Sequence, residues 1–122
     1  MNLVIDPQSA VPPFEQVRAQ LAHRVADGTL PVGAKLPTVR ALAADLGLAT
    51  NTVARAYREL ETASMIETRG RAGTFVAASG DASRARAAAA AADYVATVDG
   101  LGVSRNEALA MVTAALQDGA VD

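Results

Sequence analysis

The residues whose types could do chemistry are concentrated in the stretch LGLATNTVARAYRELETASMIETRGRAGTF, residues 46–75, where arginine recurs and finally alternates with glycine. Between Lys35 and Val76 there are six basic residues against four acidic ones, whereas from Ala78 onward three arginines face six acidic residues. The net charge of -2 therefore conceals a split along the chain. One mildly basic surface can face a polyanion such as DNA while the acidic remainder repels it.

Residues suited to catalysis or metal binding are scarce. The chain has no cysteine and one histidine, which excludes a disulfide framework and a thiolate metal site and leaves too few ligands for a histidine-based metal centre. The spacing predicts that His23 points into solvent, opposite Phe14 on the same helix, with no carboxylate or nucleophile beside it. The sequence therefore predicts no enzyme and no cofactor.

Three helices are predicted to position the basic stretch, after a β-prone run at residues 3–5. The first helix spans residues 14–27, the second follows Thr38 as its N-cap and ends at Gly47, and the third opens at Thr50 as its N-cap. The segment GTLPVGAKLP between the first two is rich in glycine and proline, which predicts a connecting loop. The apolar stripes at helical spacing are Phe14, Val17, Leu21 and Val25; Val39, Leu42, Ala43 and Leu46; and Val53, Ala56, Tyr57 and Leu60.

The second and third predicted helices are joined by a short turn containing glycine, which is the form of a helix-turn-helix. A strand at residues 65–69, a tight turn at residues 70–72 and a returning strand at residues 73–77 are predicted to follow. A helix, a helix-turn-helix and a hairpin in that order predict a winged helix, with the hairpin as its wing. The expected fold class is mainly α with a small β-hairpin.

The remainder of the chain is expected to form a two-helix hairpin after a hinge at residues 79–83. The segment DGLGV separates its helices, and Ser104 with Glu107 forms the capping-box pattern S-x-x-E. A hairpin this short buries too little core alone, so it is expected to pack against a second copy, the alternative being its own winged domain. The predicted dimerisation residues are Val95, Val98, Leu109, Val112 and Leu116. The predicted domains are residues 1–78, for DNA binding, and residues 79–122, for dimerisation.

Length and hydropathy are compatible with this organisation. The 122 residues suit one compact domain with an accessory element. No apolar run approaches the roughly 20 residues needed to span a bilayer, and no secretory signal pattern opens the sequence. We therefore expect a cytoplasmic protein with no membrane partner.

Residues 12–76 resemble the winged-helix domain of the GntR family of bacterial transcription regulators. The motifs that carry the resemblance are PPFEQV, GTLPVGAKLPTVRALAADLGL, NTVARAYRELE and RGRAGTFV, in the order of the family. The short two-helix tail resembles the YtrA-like branch, whose tail is a dimerisation element and not an effector-binding domain. The resemblance implies a sequence-specific transcriptional regulator, a repressor that binds double-stranded DNA as a homodimer on a near-palindromic operator.

The resemblance also implies which residues face DNA. They are Thr38 and Arg40 on the second helix, Thr50, Asn51, Thr52 and Arg55 on the third, and Arg69, Gly70 and Arg71 at the wing tip. Arginine can donate paired hydrogen bonds to phosphate or guanine, and asparagine can pair with adenine. Helix N-termini favour phosphate, and wing arginines can follow the minor groove.

Several of these positions, and Arg58 beside them, have a structural alternative. The alternatives are an ion pair of Arg40 with Asp45, ion pairs of Arg55 and Arg58 with Glu59 and Glu61, helix capping by Thr50 and Asn51, and an ordinary solvated turn at the wing tip. Ser64 stands where relatives commonly have glycine, so a left-handed residue at the end of the third helix must be formed at some cost or avoided.

The alternative function is a winged helix that contacts another protein and does not bind DNA. Such a module would show no salt-dependent DNA affinity. Whether a small-molecule effector exists is left open by the sequence, and two thin helices offer no obvious room for the usual pocket of about 300 Å³ or more.

Overall fold

The computed structural model describes residues 2–78 and 82–119, and the predicted hinge at residues 79–83 falls mostly outside them. The chain divides into two compact units, Met1–Ala85 and Arg86–Asp122. The predicted domain boundary after residue 78 stays a prediction. The elements are helices α1 (Pro13–Ala26), α2 (Val39–Leu46) and α3 (Thr50–Thr62), strands β1 (Ile66–Thr68) and β2 (Thr74–Val76) with a 3₁₀ turn (Gly70–Ala72) between them, and helices α4 (Ala82–Gly100) and α5 (Arg105–Gly119).

The first unit is built on α3, which packs against both α1 and α2. The three predicted apolar stripes supply most of the core, because helical spacing places each stripe on one face. Their fully buried members include Val17 and Leu21 of α1, Leu42 of α2, and Val53 and Leu60 of α3. The hydroxyl of Tyr57, also in this core, donates to the backbone carbonyl of Pro37 at 2.7 Å, tying α3 to the segment before α2. The fold is the predicted winged helix.

The predicted caps of α2 are confirmed at both ends, whereas the predicted N-cap of α3 is not. The Thr38 hydroxyl accepts the N–H of Ala41 at 3.1 Å, so Thr38 is the predicted N-cap. Gly47 ends α2 in the left-handed conformation, with φ 67°. The N-cap of α3, however, is Ala49 in an extended conformation, without a side-chain hydrogen bond, and Thr50 is the first helical residue. The prediction of Thr50 as the N-cap is therefore wrong by one position.

The wing is an antiparallel pair in which Ile66 faces Val76 and Thr68 faces Thr74. A third segment joins it, because Leu36 N–H donates to Thr74 O at 2.8 Å and Val76 N–H donates to Ala34 O at 2.9 Å. The interpretation of this segment as only a connecting loop was wrong. Glycine and proline flank residues 34–36 but leave their own backbone groups available for pairing.

The N-terminal run predicted to be β-prone is extended but pairs with side chains instead of a strand. Gln20 exchanges two hydrogen bonds with the backbone of Val4, at 3.0 and 2.8 Å, and Gln16 does the same with Asp6, at 2.8 and 3.0 Å. Gln16 and Gln20, four residues apart on α1, are separated by a rise of about 6 Å, which is close to the spacing of alternate residues such as Val4 and Asp6 in an extended chain. Because the two spacings match, side chains of α1 can pair with the backbone of the N-terminal segment as a neighbouring strand would.

The end of α3 shows how the chain accommodates a non-glycine residue in a left-handed conformation. Ser64 has φ 62°, the one positive φ outside glycine among the described residues. The N–H of Met65 donates to Leu60 O at 3.0 Å, which closes the helix end as a left-handed cap does. Of the two outcomes expected for Ser64, the strained cap is the one formed.

The second unit is a helical hairpin. Val98 and Ala108 are buried between its helices, and the Tyr94 hydroxyl donates to Ala108 O at 2.8 Å. The Ser104 hydroxyl accepts the N–H of Glu107 at 3.1 Å, which is the first half of the predicted capping box. Across residues 2–78 and 82–119, no helix combines the length and apolarity needed to cross a lipid bilayer.

Candidate nucleic-acid interface

The amino end of α3 is open to an anion. Among the described residues no acceptor is bonded to the backbone N–H of Thr50 or Asn51, and the side chain of neither residue caps the helix. Both residues are exposed, and Thr52 is half-buried. Unpaired N–H groups and the positive end of the helix dipole favour phosphate at such a position. The capping alternative is therefore wrong for both residues.

The start of α2 presents one bound and one unbound polar side chain. Thr38 is committed to its cap, although the residue is exposed. Arg40 is exposed, and within the described residues it has no ion pair with Asp45 or any other carboxylate. The ion-pair alternative for Arg40 is therefore wrong, and its guanidinium can reach a phosphate or a base edge.

The middle of α3 has its arginine held against α1. The guanidinium carbon of Arg55 lies 3.7 Å from the ring centroid of Phe14, and its Nε lies 3.5 Å from Glu59 Oε2. The ion-pair alternative is thus correct for Arg55 in the unbound chain. In the part of the chain that the structure describes, Arg58 is exposed and forms no ion pair, so the same interpretation is wrong for Arg58.

The wing tip has two arginines, one with a carboxylate partner and one without such a partner among the described residues. Arg69 Nη2 lies 2.6 Å from Glu67 Oε1, and its guanidinium lies 4.4 Å from the ring centroid of Phe75. Arg71 is exposed, with no ion pair among the described residues. Gly70 has φ 53°, a left-handed value that glycine adopts without strain, so the tip can turn tightly.

Lys35 is a basic residue beside the wing that sequence reasoning missed. The backbone of Lys35 forms an isolated antiparallel β-bridge with Phe75. Its side chain passes so close to Gly73 that a Cβ added to Gly73 would lie 2.9 Å from Lys35 Cε. Lys35 therefore adds a third cation to the wing. Its role could have been predicted only by recognising that residues 34–36 pair with the wing.

Among the described residues, no cluster of three or more histidine, cysteine, aspartate or glutamate side chains could hold a metal ion. The side chain of His23 is 80% exposed, as predicted. Its Nε2 nevertheless lies 3.5 Å from Asp27 Oδ2, so the expectation of no neighbouring carboxylate was wrong. This pair is one helical turn apart on a solvated surface.

The C-terminal unit has an open apolar groove of about 340 Å³, so the expectation that two helices leave no such room was wrong. Val98 is buried within the hairpin, whereas Val95 and Leu109, which also line the groove, are 37% and 67% exposed. Val112 is half-buried in the lining, and Leu116 lies beyond it, 68% exposed. Four of the five predicted dimerisation residues thus remain at least partly accessible.

A helix-turn-helix whose second helix has an exposed, uncapped amino end, followed by a basic wing, defines a winged-helix DNA-binding domain. Residues 13–76 match the family model described as bacterial regulatory proteins, gntR family. The chain belongs to the GntR family of bacterial transcription regulators.

Relatives of this chain carry the same domain. It is 49% identical over 111 residues to the HTH-type transcriptional regulator Rv1152 of Mycobacterium tuberculosis, covering 91% of each chain. It is 45% identical over 73 residues to the HTH-type transcriptional repressor YtrA of Bacillus subtilis, covering 59% of this chain and 55% of YtrA. A crystal structure of the AraR DNA-binding domain in complex with operator ORX1 superposes with TM-score 0.54 and 26% identity, covering 62% of this chain and 93% of that one.

Proposed function

We propose that this GntR-family chain is a sequence-specific transcriptional repressor that acts as a homodimer on a near-palindromic operator. The observation that carries the proposal is the uncapped, exposed amino end of α3, where Asn51 projects beside unpaired backbone N–H groups. The similarity to YtrA, which is named a repressor, supports the direction of regulation. A repressor of this kind works in the cytoplasm, on duplex DNA and without a cofactor.

The described contacts suggest a division of roles among the candidate residues. Asn51 reads a base edge, and Thr50 and Thr52 contact phosphate or base edges beside it. Arg40 fixes the register by a phosphate or reads guanine, while Thr38 orders the first turn of α2. Arg55, together with Arg69, Gly70 and Arg71 at the wing tip, contacts the DNA backbone or the minor groove.

The hairpin supplies the proposed dimer contact. Its groove, with Leu109 and Val112 in the lining, is apolar and open on one side, which suits a helix of a second copy better than an enclosed small molecule. Leu116 and Met111 extend the exposed apolar surface, being 68% and 46% exposed. A two-fold dimer would place half-sites about 34–36 Å apart, or at a multiple of that distance.

DNA binding is tested by gel shift with the region upstream of the chain's own gene cluster and with a scrambled duplex of equal length. A shift at lower protein concentration on the upstream region, with affinity that falls steeply as salt rises, is the expected result. Equal affinity for both duplexes would refute sequence-specific binding. Absence of any salt-dependent binding would favour the protein-contact function instead.

Dimerisation is tested by a matched pair of substitutions. Leu109→Asp places a charge in the groove, and Leu101→Asp places the same charge on a residue that is 73% exposed and lies outside the groove lining. Sedimentation at micromolar concentration should show a dimer for the unmodified chain and for Leu101→Asp, and a monomer for Leu109→Asp. A monomeric unmodified chain, or equal effects of the two substitutions, would defeat the proposed contact.

A further inference from the structure

Both phenylalanines of the chain carry an arginine guanidinium over the ring. Phe14 holds Arg55 at 3.7 Å, and Phe75 holds Arg69 at 4.4 Å, measured from the guanidinium carbon to the ring centroid. Each arginine also has a carboxylate partner. Arg55 Nε lies 3.5 Å from Glu59 Oε2, and Arg69 Nη2 lies 2.6 Å from Glu67 Oε1. The same grouping of aromatic ring, guanidinium and glutamate therefore occurs on the recognition helix and on the wing.

Packing in the hydrophobic core does not account for the positions of the two phenylalanine rings. Both phenylalanines are half-buried and lie outside the core cluster of the first unit, which is made of aliphatic residues and Tyr57. A ring that stacks on a guanidinium restricts a long side chain that would otherwise sample many rotamers. The ring covers the face of the guanidinium, so the in-plane N–H donors stay available to a second ligand.

The carboxylate partner occupies part of that donor edge and is easily displaced. The side chains of Arg55 and Glu59 are 58% and 43% exposed, and those of Arg69 and Glu67 are both 49% exposed. Ion pairs this exposed are weak because water and salt screen them. A DNA phosphate, reinforced by the potential of the whole duplex, competes well for the same donors.

From these contacts we infer that Phe14 and Phe75 are positioning residues that hold Arg55 and Arg69 for DNA phosphates, and that Glu59 and Glu67 are the anions that the phosphates displace. The inference rests on the proposed DNA-binding function. The glutamates keep both guanidinium groups occupied away from DNA, so every duplex must displace them, which lowers affinity for operator and scrambled duplex alike.

The positioning role is tested by replacing the aromatic ring with an aliphatic side chain. Phe14→Leu should weaken operator binding by about twofold to fivefold for each chain bound, the contribution of one exposed cation–π contact. Phe14→Tyr, which keeps an aromatic face, should restore affinity. In an Arg55→Ala background the same Phe14→Leu change should have no effect, because the side chain that it positions is gone.

A loss that persists in the Arg55→Ala background would overturn the positioning role of Phe14 and indicate a packing effect instead. Urea unfolding of each variant shows whether packing has changed. The equivalent set for the wing is Phe75→Leu, Phe75→Tyr and Arg69→Ala. A wild-type chain that binds no DNA refutes the proposed function, whereas normal DNA binding by Phe14→Leu and Phe75→Leu refutes only this inference.

The displacement role is tested by Glu59→Gln, with Glu61→Gln as the control. Both remove one negative charge from α3, but Glu61 accepts a hydrogen bond from Thr68 and has no arginine partner among the described residues. Glu59→Gln should raise affinity for operator and scrambled duplex more than Glu61→Gln does. An equal rise in DNA affinity for the two variants would show a general charge effect and overturn the proposed displacement of the glutamate by phosphate.

Discussion

Replacing Asn51 with alanine separates base reading from structural support. Asn51 is the second residue of α3, is exposed, and makes no capping hydrogen bond. Alanine has the higher helix propensity, by less than about 0.7 kcal/mol, so the variant should fold at least as stably as the unmodified chain. Any loss of DNA affinity then reports a contact with DNA.

The expected loss follows from the hydrogen bonds that asparagine can make with adenine. A bidentate pair discriminates by about 1–3 kcal/mol, which is about fivefold to 150-fold in affinity for one half-site. Affinity for a scrambled duplex should fall much less, because binding there depends on phosphate contacts. The ratio of the two affinities should therefore narrow, and in a dimer the change applies at both half-sites.

The assay is fluorescence anisotropy on a labelled operator and a labelled scrambled duplex at one salt concentration. Arg58→Ala is the control, since Arg58 is exposed on the same helix without an ion pair among the described residues. It should reduce both affinities slightly and equally. Equal losses on both duplexes for Asn51→Ala would refute base reading by Asn51 and leave recognition to Thr50, Thr52 or the wing.

Three further predictions concern the wing, the end of α3 and the core. Arg69→Ala with Arg71→Ala should weaken binding to all duplexes about equally and lower the slope of log affinity against log salt by about 0.9 per lost phosphate contact; an unchanged slope would mean that the wing stands clear of DNA. Ser64→Gly should raise the free energy of unfolding in urea by about 1 kcal/mol by relieving the φ of 62°, and Ser64→Ala, which keeps a Cβ, should not. Burial raises the pKa of Tyr57 to about 12 from 10.0, so its protonated form stabilises the fold fully below about pH 10, and that stabilisation is lost as pH rises through about 12. Tyr57→Phe should remove that decline in urea unfolding measured across the range, and the same decline in the variant would refute its origin in Tyr57.

The parts of the fold that sequence predicted are those encoded by neighbouring residues. Helical spacing brought out the buried stripes of α1, α2 and α3 because each stripe repeats within one helix. The Thr38 cap and the left-handed Gly47 depend on local backbone preferences and were also correct. The start of α3 was misplaced by one residue because capping preference is statistical, and the extended backbone of Ala49 begins the helix without a side-chain bond.

The parts that sequence missed depend on residues distant along the chain. Residues 34–36 pair with β2 some forty positions later, and no local pattern reports that partner. Gln20 was unremarkable in sequence, yet its amide pairs with the backbone of Val4. The contact of Phe14 with Arg55 was hidden for the same reason, because Phe14 fitted an apolar stripe and Arg55 a basic face.

The net charge of -2 is compatible with DNA binding because electrostatic attraction depends on local charge and not on the total. The first unit holds Lys35, Arg40 and Arg71 exposed and without ion pairs among the described residues. Arg55 and Arg69, by contrast, keep weak carboxylate partners that a duplex can displace. A surface of this kind binds a phosphate backbone modestly by charge alone. The remaining affinity must then come from contacts that require the correct sequence, which is the balance a sequence-specific transcription regulator needs among many competing sites.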